Sequence, residues 1–210
     1  MQIDSMRYEF ITKRSLAFEW RDSLSIPNKL LLAFAIATLT GILAQIKIFL
    51  PFTPIPITGQ TLAVLLSGVI LGKYWGGASQ LLYLALGAVG LPWFSDLSGG
   101  MSVLLGPNGG YLFGFILASS FIGYISDKLP QMRNFLPMLL VMIIASFGLI
   151  YIPGLIQLKL WFNYALAQDL SIWQVISLGA LPFLAGDLFK ILIACGIATT
   201  ILPKKSGNKA

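Results

Sequence analysis

"QTLAVLLSGVILGKYWGGASQLLYLALGAVGL", residues 60–91, decides how this chain folds. It is an apolar run too long for one membrane crossing, because about 20 residues at a 1.5 Å rise already span a ~30 Å hydrocarbon core. "GKYWGG", residues 72–77, divides it. The reading is a short helix over 60–71 and a second over 77–90. Each is short for a full span, which predicts tilt or partial burial.

Composition sets the surrounding frame. The chain has 210 residues, of which 57% are hydrophobic and only 10% charged, with a mean hydropathy of +0.83. Soluble domains carry about 25% charged residues. The chain therefore reads as an all-α integral membrane protein with six transmembrane helices, and its length leaves no room for a separate soluble domain. The first helix is expected over residues 30–50 and the fourth over 111–125. The fifth is expected over 136–160, bent near Pro153 and Gly154. The sixth starts at Pro182, a residue well tolerated at a helix start, and stops at Pro203. A polar tail (1–28), with an interfacial helix over 18–24, precedes the membrane domain (29–203), and a short tail (204–210) follows it.

Lysine and arginine report the orientation. With six spans and the N-terminus inside, 11 of the 14 basic residues fall on the cytoplasmic side, from Arg7 to Lys209. Lys47 and Lys159 fall outside, and Lys190 lies within a span. Such a bias matches the positive-inside rule and puts both termini in the cytoplasm. It also explains the net charge of +6 without a nucleic-acid partner, since no basic, aromatic-interleaved surface is present.

Several chemistries are excluded by what is missing. There is no histidine, which removes the commonest general base and metal ligand. No Cys/His cluster appears, the lone Cys195 lies in an apolar segment, and no cofactor or metal is implied. No phosphate-binding G-x-x-x-x-G-K-[ST] occurs, so the chain by itself should not hydrolyse ATP. No catalytic constellation is assigned.

The segments between helices are more telling. "PFTPIPITG" (51–59) has alternating prolines that cannot continue a helix and favour extended chain. The loop "LPWFSDLSGGMSVLLGPNGG" (91–110) carries five glycines and two prolines, and loops this long are usually functional. Both fall on the outer side, as does the start of the sixth helix. Their polar and aromatic residues, with the adjoining helix ends, include Thr53, Thr58, Gln60, Tyr83, Trp93, Asp96, Asn108 and Tyr111. Aromatics there can form an interfacial belt or line a pocket. "GPNGG" (106–110) can be a plain turn or a backbone held close to a ligand.

Two patterns within helices need separate weighing. Ala33, Ala37, Gly41 and Ala44 share one face of the first helix. Small residues let membrane helices approach closely, either within the protein or against a second membrane protein. In "LPFLAGDLFKIL" (181–192), Asp187 and Lys190 sit three residues apart and so share a face. A charge near the middle of a span costs roughly 2.5 to 3.5 kcal/mol. The pair can neutralise itself in the interior, or it can bind substrate, with Asp187 accepting from ligand N–H groups and Lys190 pairing with Asp187 or with a ligand carboxylate. Intramembrane ionisable residues mark function by default.

Taken in order, "PFTPIPITGQTLAVLLSGVILG", "GGASQLLYLALGAVGLPWF", "GGMSVLLGPNGGYLFGF" and "LPFLAGDLFKILIA" resemble the BioY family. These are the biotin-binding S components of energy-coupling-factor (ECF) transporters. The resemblance covers about residues 30–202. It implies a six-helix membrane fold in a bacterial-type cytoplasmic membrane, with a ligand cavity near the outer face under the two loops. It implies biotin as ligand, and as partners a transmembrane coupling protein and two cytoplasmic ATPases. The small-residue face, Ala33, Ala37 and Gly41, is then expected to dock on the coupling protein. Asp187, Asn108, Gln60 and Thr58 are candidates for the polar groups of biotin. Phe52, Tyr83, Trp93 and Tyr111 are candidates for walls around its rings and valeryl chain, and Lys190, a loop amide or a hydroxyl for its carboxylate. Two other readings stay open: a self-sufficient secondary transporter with Asp187 as a proton relay, and an intramembrane enzyme, which the absence of histidine disfavours.

Overall fold

The structure, a computed structural model, describes residues 21–203. Residues 1–20 of the N-terminal tail, including the start of the expected interfacial helix, and the C-terminal tail (204–210) lie outside the described residues. Among the described residues, five helices are long and apolar enough to cross a membrane. The chain is a multi-pass membrane protein.

Helix α1 is Ile26–Ala44, with Pro27 in its first turn and Ala33, Ala37, Thr40, Gly41 and Ala44 facing inward. It ends well before the expected residue 50. Beyond it the chain forms a two-stranded antiparallel hairpin, β1 (Lys47–Ile48) and β2 (Ile57–Thr58). The prolines between the strands force this extended course, and Gly59 N–H closes it by donating to Leu43 O and Ile46 O.

Helix α2, Gln60–Ala88, contains the deciding break. Gly72 has φ 77° and ψ −174°, a conformation open essentially to glycine alone. The chain doubles back there. Gln60 Nε2 donates to the hydroxyl of Tyr83 at 2.7 Å, although a straight helix would hold residues 23 apart about 35 Å from each other. The sequence placed the break across 72–77, but only Gly72 breaks the helix. Gly76 and Gly77 are helical and make room for close packing: a Cβ on Gly76 would sit 2.9 Å from Gly68 Cα and 2.8 Å from Ser119 Oγ.

After α2, the chain passes a 3-10 turn (Ser95–Leu97) and the short α3 (Met101–Leu105) into α4 (Gly109–Lys128). Helix α4 is central. It packs against both arms of α2 and against the next rod, formed by α5 (Phe135–Ile143), a π segment (Ile144–Ile150) and α6 (Tyr151–Ala165). The α2–α4 seam is close enough that a Cβ on Gly123 would lie 2.4 Å from the carbonyl carbon of Gly72. The rod departs from regular helix at Ile144–Ile150, upstream of Pro153 and Gly154 where a bend was expected. Pro153 has no N–H for the carbonyl one turn earlier, and widened π turns are one way membrane helices absorb that loss.

Helix α7 (Ile172–Gly179) starts with a reciprocal capping box between Ser171 and Gln174. A 3-10 turn, Leu181–Phe183, holds Pro182, and α8 runs over Leu184–Ile201, packed on α5 and α2.

Candidate ligand-binding site

Three helices begin at one end of the bundle: α2 at Gln60, α4 at Gly109 and α8 at Leu184. Their first turns wall a cavity together with the β-hairpin, Phe94 and Ser95 of the following loop, and Ile150–Tyr151 of the central rod. Its polar lining comes from Thr58, Gln60, Thr61, Asn108, Tyr111, Tyr151, Asp187 and Lys190. Its apolar lining includes Ile55, Ile57, Phe94, Phe115, Ile150 and Phe183. An apolar chamber with a few convergent polar groups suits a small ligand. The helix N-termini add a positive field, which favours a carboxylate there.

Asp187 sits in the first turn of α8 and is 4% exposed. Its Oδ1 accepts from Thr61 Oγ1 at 3.0 Å and lies 2.5 Å from Lys190 Nζ. Its Oδ2 accepts from the Tyr151 hydroxyl at 2.5 Å. Lys190 also donates to the backbone carbonyl of Thr58 at 2.7 Å. The pair thus ties α8 to the β-hairpin and to α2, while both residues still line the cavity. Burial of two charges is tolerable only with such surrounding hydrogen bonds.

Gln60 is held at both ends of its amide, accepting from Thr58 Oγ1 at 2.8 Å and donating to Tyr83. Tyr111 lines the cavity and donates to Gly179 O at 2.8 Å, which brings the end of α7 over the site. Asn108 differs from all of these. Its Oδ1 is buried, on the cavity wall, with no hydrogen-bond partner.

Three expected walls are absent from the lining. Tyr83 and Trp93 are buried behind it and support each other: Trp93 Nε1 donates to Tyr83 O at 2.9 Å, and the Tyr83 hydroxyl donates to Trp93 O at 3.2 Å. Phe52, at the tip of the hairpin, is 57% exposed. The expected docking stripe is also corrected. Ala33, Ala37 and Gly41 are buried within this chain, and a Cβ on Gly41 would sit 3.0 Å from Trp93 Cβ. The small residues serve internal packing, and the outward face of α1 carries Leu31, Phe34 and Ile42 instead.

Sequence reading missed Thr61 and Tyr151, which hold Asp187, and Gln45, which holds the loop. Gln45 Nε2 donates to Phe94 O at 2.9 Å, and its Oε1 accepts from Leu97 N–H at 3.0 Å. That loop contains Asp96 and Leu97 in left-handed conformation, at φ 66° and 49°. Lys47 pairs with Asp96 from the strand side. Two non-glycine residues at positive φ persist only where the surroundings fix them, and here the end of α1 does so.

The fold and cavity define a multi-pass helical membrane protein built around a small-molecule chamber. The BioY family model matches residues 14–206, and the chain belongs to the BioY family. Among curated proteins it is 51% identical over 140 residues to a "Probable biotin transporter BioY" of Methanothermobacter thermautotrophicus, covering 67% of this chain and 89% of that one. It is 38% identical over 151 residues to the "Biotin transporter BioY" of Thermotoga maritima, covering 72% and 83%. Among solved structures it matches the S-component for biotin from an ECF-type ABC transporter, with a TM-score of 0.73 and 24% identity over 84% of this chain and 93% of that one. The last likeness is one of fold. These relatives carry the names of transporters and transport components, and the chain is not an enzyme.

Proposed function

We propose that this chain captures biotin outside the cell and delivers it across the cytoplasmic membrane as the substrate-binding subunit of an ECF-type transporter. The membrane domain has six spans, with residues 60–71 and 73–88 as two of them, and both termini lie in the cytoplasm. The lysine and arginine bias supports that orientation and, with it, a cavity near the outer face. The names of the relatives support biotin as the ligand.

The observation that carries the binding reading is the buried, unpartnered Oδ1 of Asn108 on the cavity wall. A buried acceptor without a donor costs roughly 1–3 kcal/mol, a cost that a ligand N–H would remove. Biotin offers two ureido N–H groups. Asn108 Oδ1 takes one, and the remaining lone pair of Asp187 Oδ2 takes the other. The third N–H of the Lys190 ammonium is left for a ligand oxygen. Ile57, Phe115 and Phe183 suit the apolar thiophane ring and valeryl chain.

Transport on this reading requires a transmembrane coupling protein and two ATPases, because the chain has no nucleotide-binding motif of its own. With Ala33, Ala37 and Gly41 turned inward, a coupling protein that docks on α1 meets its exposed side, Leu31, Phe34 and Ile42. Titration calorimetry of the detergent-purified chain with biotin tests the binding. A saturable heat with one biotin per chain is expected, and no heat at micromolar biotin would overturn the reading. Proton-driven biotin uptake into liposomes holding this chain alone would replace the ECF assignment with a secondary transporter.

A further inference from the structure

Beside the ligand chamber, between the β-hairpin and the loop that follows α2, lies a second, more open basin of about 280 Å³. The hairpin lines it with Phe49, Pro54 and Pro56, and the far wall is Ser95, Asp96 and Ser98 with residues between 102 and 108. Pro56, Ser95, Val103 and Asn108 line the chamber as well. These four residues form the partition between the two spaces. The two sides of the basin are held differently. Thr53 Oγ1 donates to Leu178 O at 2.7 Å, and Lys190 donates to Thr58 O, so the hairpin is clamped to the helices. The loop tip is a small closed knot, in which Phe94 N–H donates to Ser98 O at 3.0 Å and Ser98 Oγ to Ser95 O at 2.7 Å. Its inner end is anchored by Gln45 and by the buried Phe94 ring, which fills the space a Cβ on Gly87 would need. Its outer edge meets the hairpin through the Lys47–Asp96 ion pair. Among the described residues, that pair is the only polar contact between hairpin and loop. The Asp96 side chain is 73% exposed, and an ion pair so open to water contributes little and breaks easily.

We propose that this basin is the vestibule through which the ligand enters and leaves the chamber, and that the Lys47–Asp96 pair is the latch across it. When the pair opens, residues 95–98 swing away from the clamped hairpin about the anchor at Phe94. Ser95 then leaves the partition, and the basin and chamber join. Asp96 and Leu97 are held at positive φ, a backbone state that persists only under restraint from its surroundings, so loss of the latch favours the open loop. The route rests on the larger chamber being the biotin site. What it adds is a path and a residue pair that sets the rate of exchange without touching the bound ligand, as lid contacts do.

The test is radiolabelled biotin exchange on the full chain in detergent, with Cys195→Ala removing its own thiol and Ser102→Cys placing one on the exposed wall of the basin. A bulky thiol reagent attached before biotin should slow association about tenfold. Attached after biotin, it should slow release by a similar factor. The same reagent on Tyr164→Cys, in the apolar groove beside α6, should change neither rate. Lys47→Gln and Asp96→Asn should each speed association and release together, about threefold, with the dissociation constant unchanged. The exchanged pair Lys47→Asp/Asp96→Lys should return both rates to wild type. An unlabelled Ser102→Cys chain that binds biotin, but exchanges it equally fast once labelled, would overturn the route and leave the biotin reading standing. No binding by the unlabelled chain would overturn both. Slowing by the label on Tyr164→Cys alone would place entry on the membrane side and overturn the vestibule. Wild-type rates in Lys47→Gln and Asp96→Asn would overturn the latch.

Discussion

The side-chain amide of Gln60 donates to the hydroxyl of Tyr83 at 2.7 Å, joining the first turn of α2 to the far end of the same helical element. This contact exists only because Gly72 turns the chain back on itself. It also places Gln60 correctly for the cavity, since its other amide atom is taken by Thr58. A backbone break at one end of the bundle therefore sets the geometry of a ligand chamber at the other.

Gly72→Ala tests that dependence. A Cβ would sit 2.6 Å from Asp127 Oδ2, and φ 77° with ψ −174° is unavailable to alanine without strain. The expected cost is about 2–3 kcal/mol, read as a lowered melting temperature in detergent together with weaker biotin binding. Gly196→Ala is the control, because nothing lies within 4 Å of a Cβ there. It should be neutral or stabilising by up to ~1 kcal/mol. Equal melting temperatures for the two variants would remove Gly72 from this role.

Tyr83→Phe removes the hydroxyl that links Gln60 to the Trp93 carbonyl. The ring still packs against Trp93 and Phe94, at centroid distances of 5.2 and 5.3 Å. Stability should fall by only ~1 kcal/mol, while biotin affinity falls severalfold because Gln60 loses its anchor. Calorimetry alongside thermal unfolding separates the two effects. An unchanged affinity would mean that Gln60 does not touch the ligand.

Much of this architecture was legible in the sequence, and the failures are informative. The apolar runs, the extended proline-rich segment and the Asp187–Lys190 pair all announce themselves through composition and spacing. What spacing cannot separate is a glycine that breaks a helix from one that lets helices touch. Gly72 does the first, while Gly76 and Gly77 do the second, against Ser119 and Ser120. The same ambiguity misassigned the small-residue face of α1, which packs inward where a partner was expected. Tyr83 and Trp93 look like ligand walls because aromatic side chains serve equally well as walls and as props. Thr61 and Tyr151 were invisible because only the tertiary fold brings them to Asp187, 126 and 36 residues away in sequence.

Asn108→Leu asks whether the unpartnered Oδ1 is kept for the ligand. Replacing a buried unsatisfied acceptor with an apolar side chain of similar size should leave the empty protein as stable as before, or more so. Biotin affinity should drop about tenfold, the value of one hydrogen bond in a closed site. Thermal unfolding with and without biotin reads both. A variant that loses stability but keeps its affinity would make Asn108 a structural residue.

The Asp187–Lys190 pair calls for a double-mutant cycle, because the two charges serve the fold and the site together. Asp187→Asn leaves the Lys190 ammonium without its carboxylate, which should cost about 3–5 kcal/mol. It also weakens the acceptor that Tyr151 and Thr61 hold in place. Asp187→Asn/Lys190→Met removes both charges, and stability should return towards wild type, since exchanging a buried ion pair for apolar groups is often neutral. Biotin binding should stay weak in both variants, because neither presents an ionised carboxylate to the cavity. Recovery of binding along with stability in the double variant would mean that the pair acts only as a brace between α8, α2 and the hairpin. Recovery of stability without binding would place the pair, through Asp187 or Lys190, in contact with the ligand.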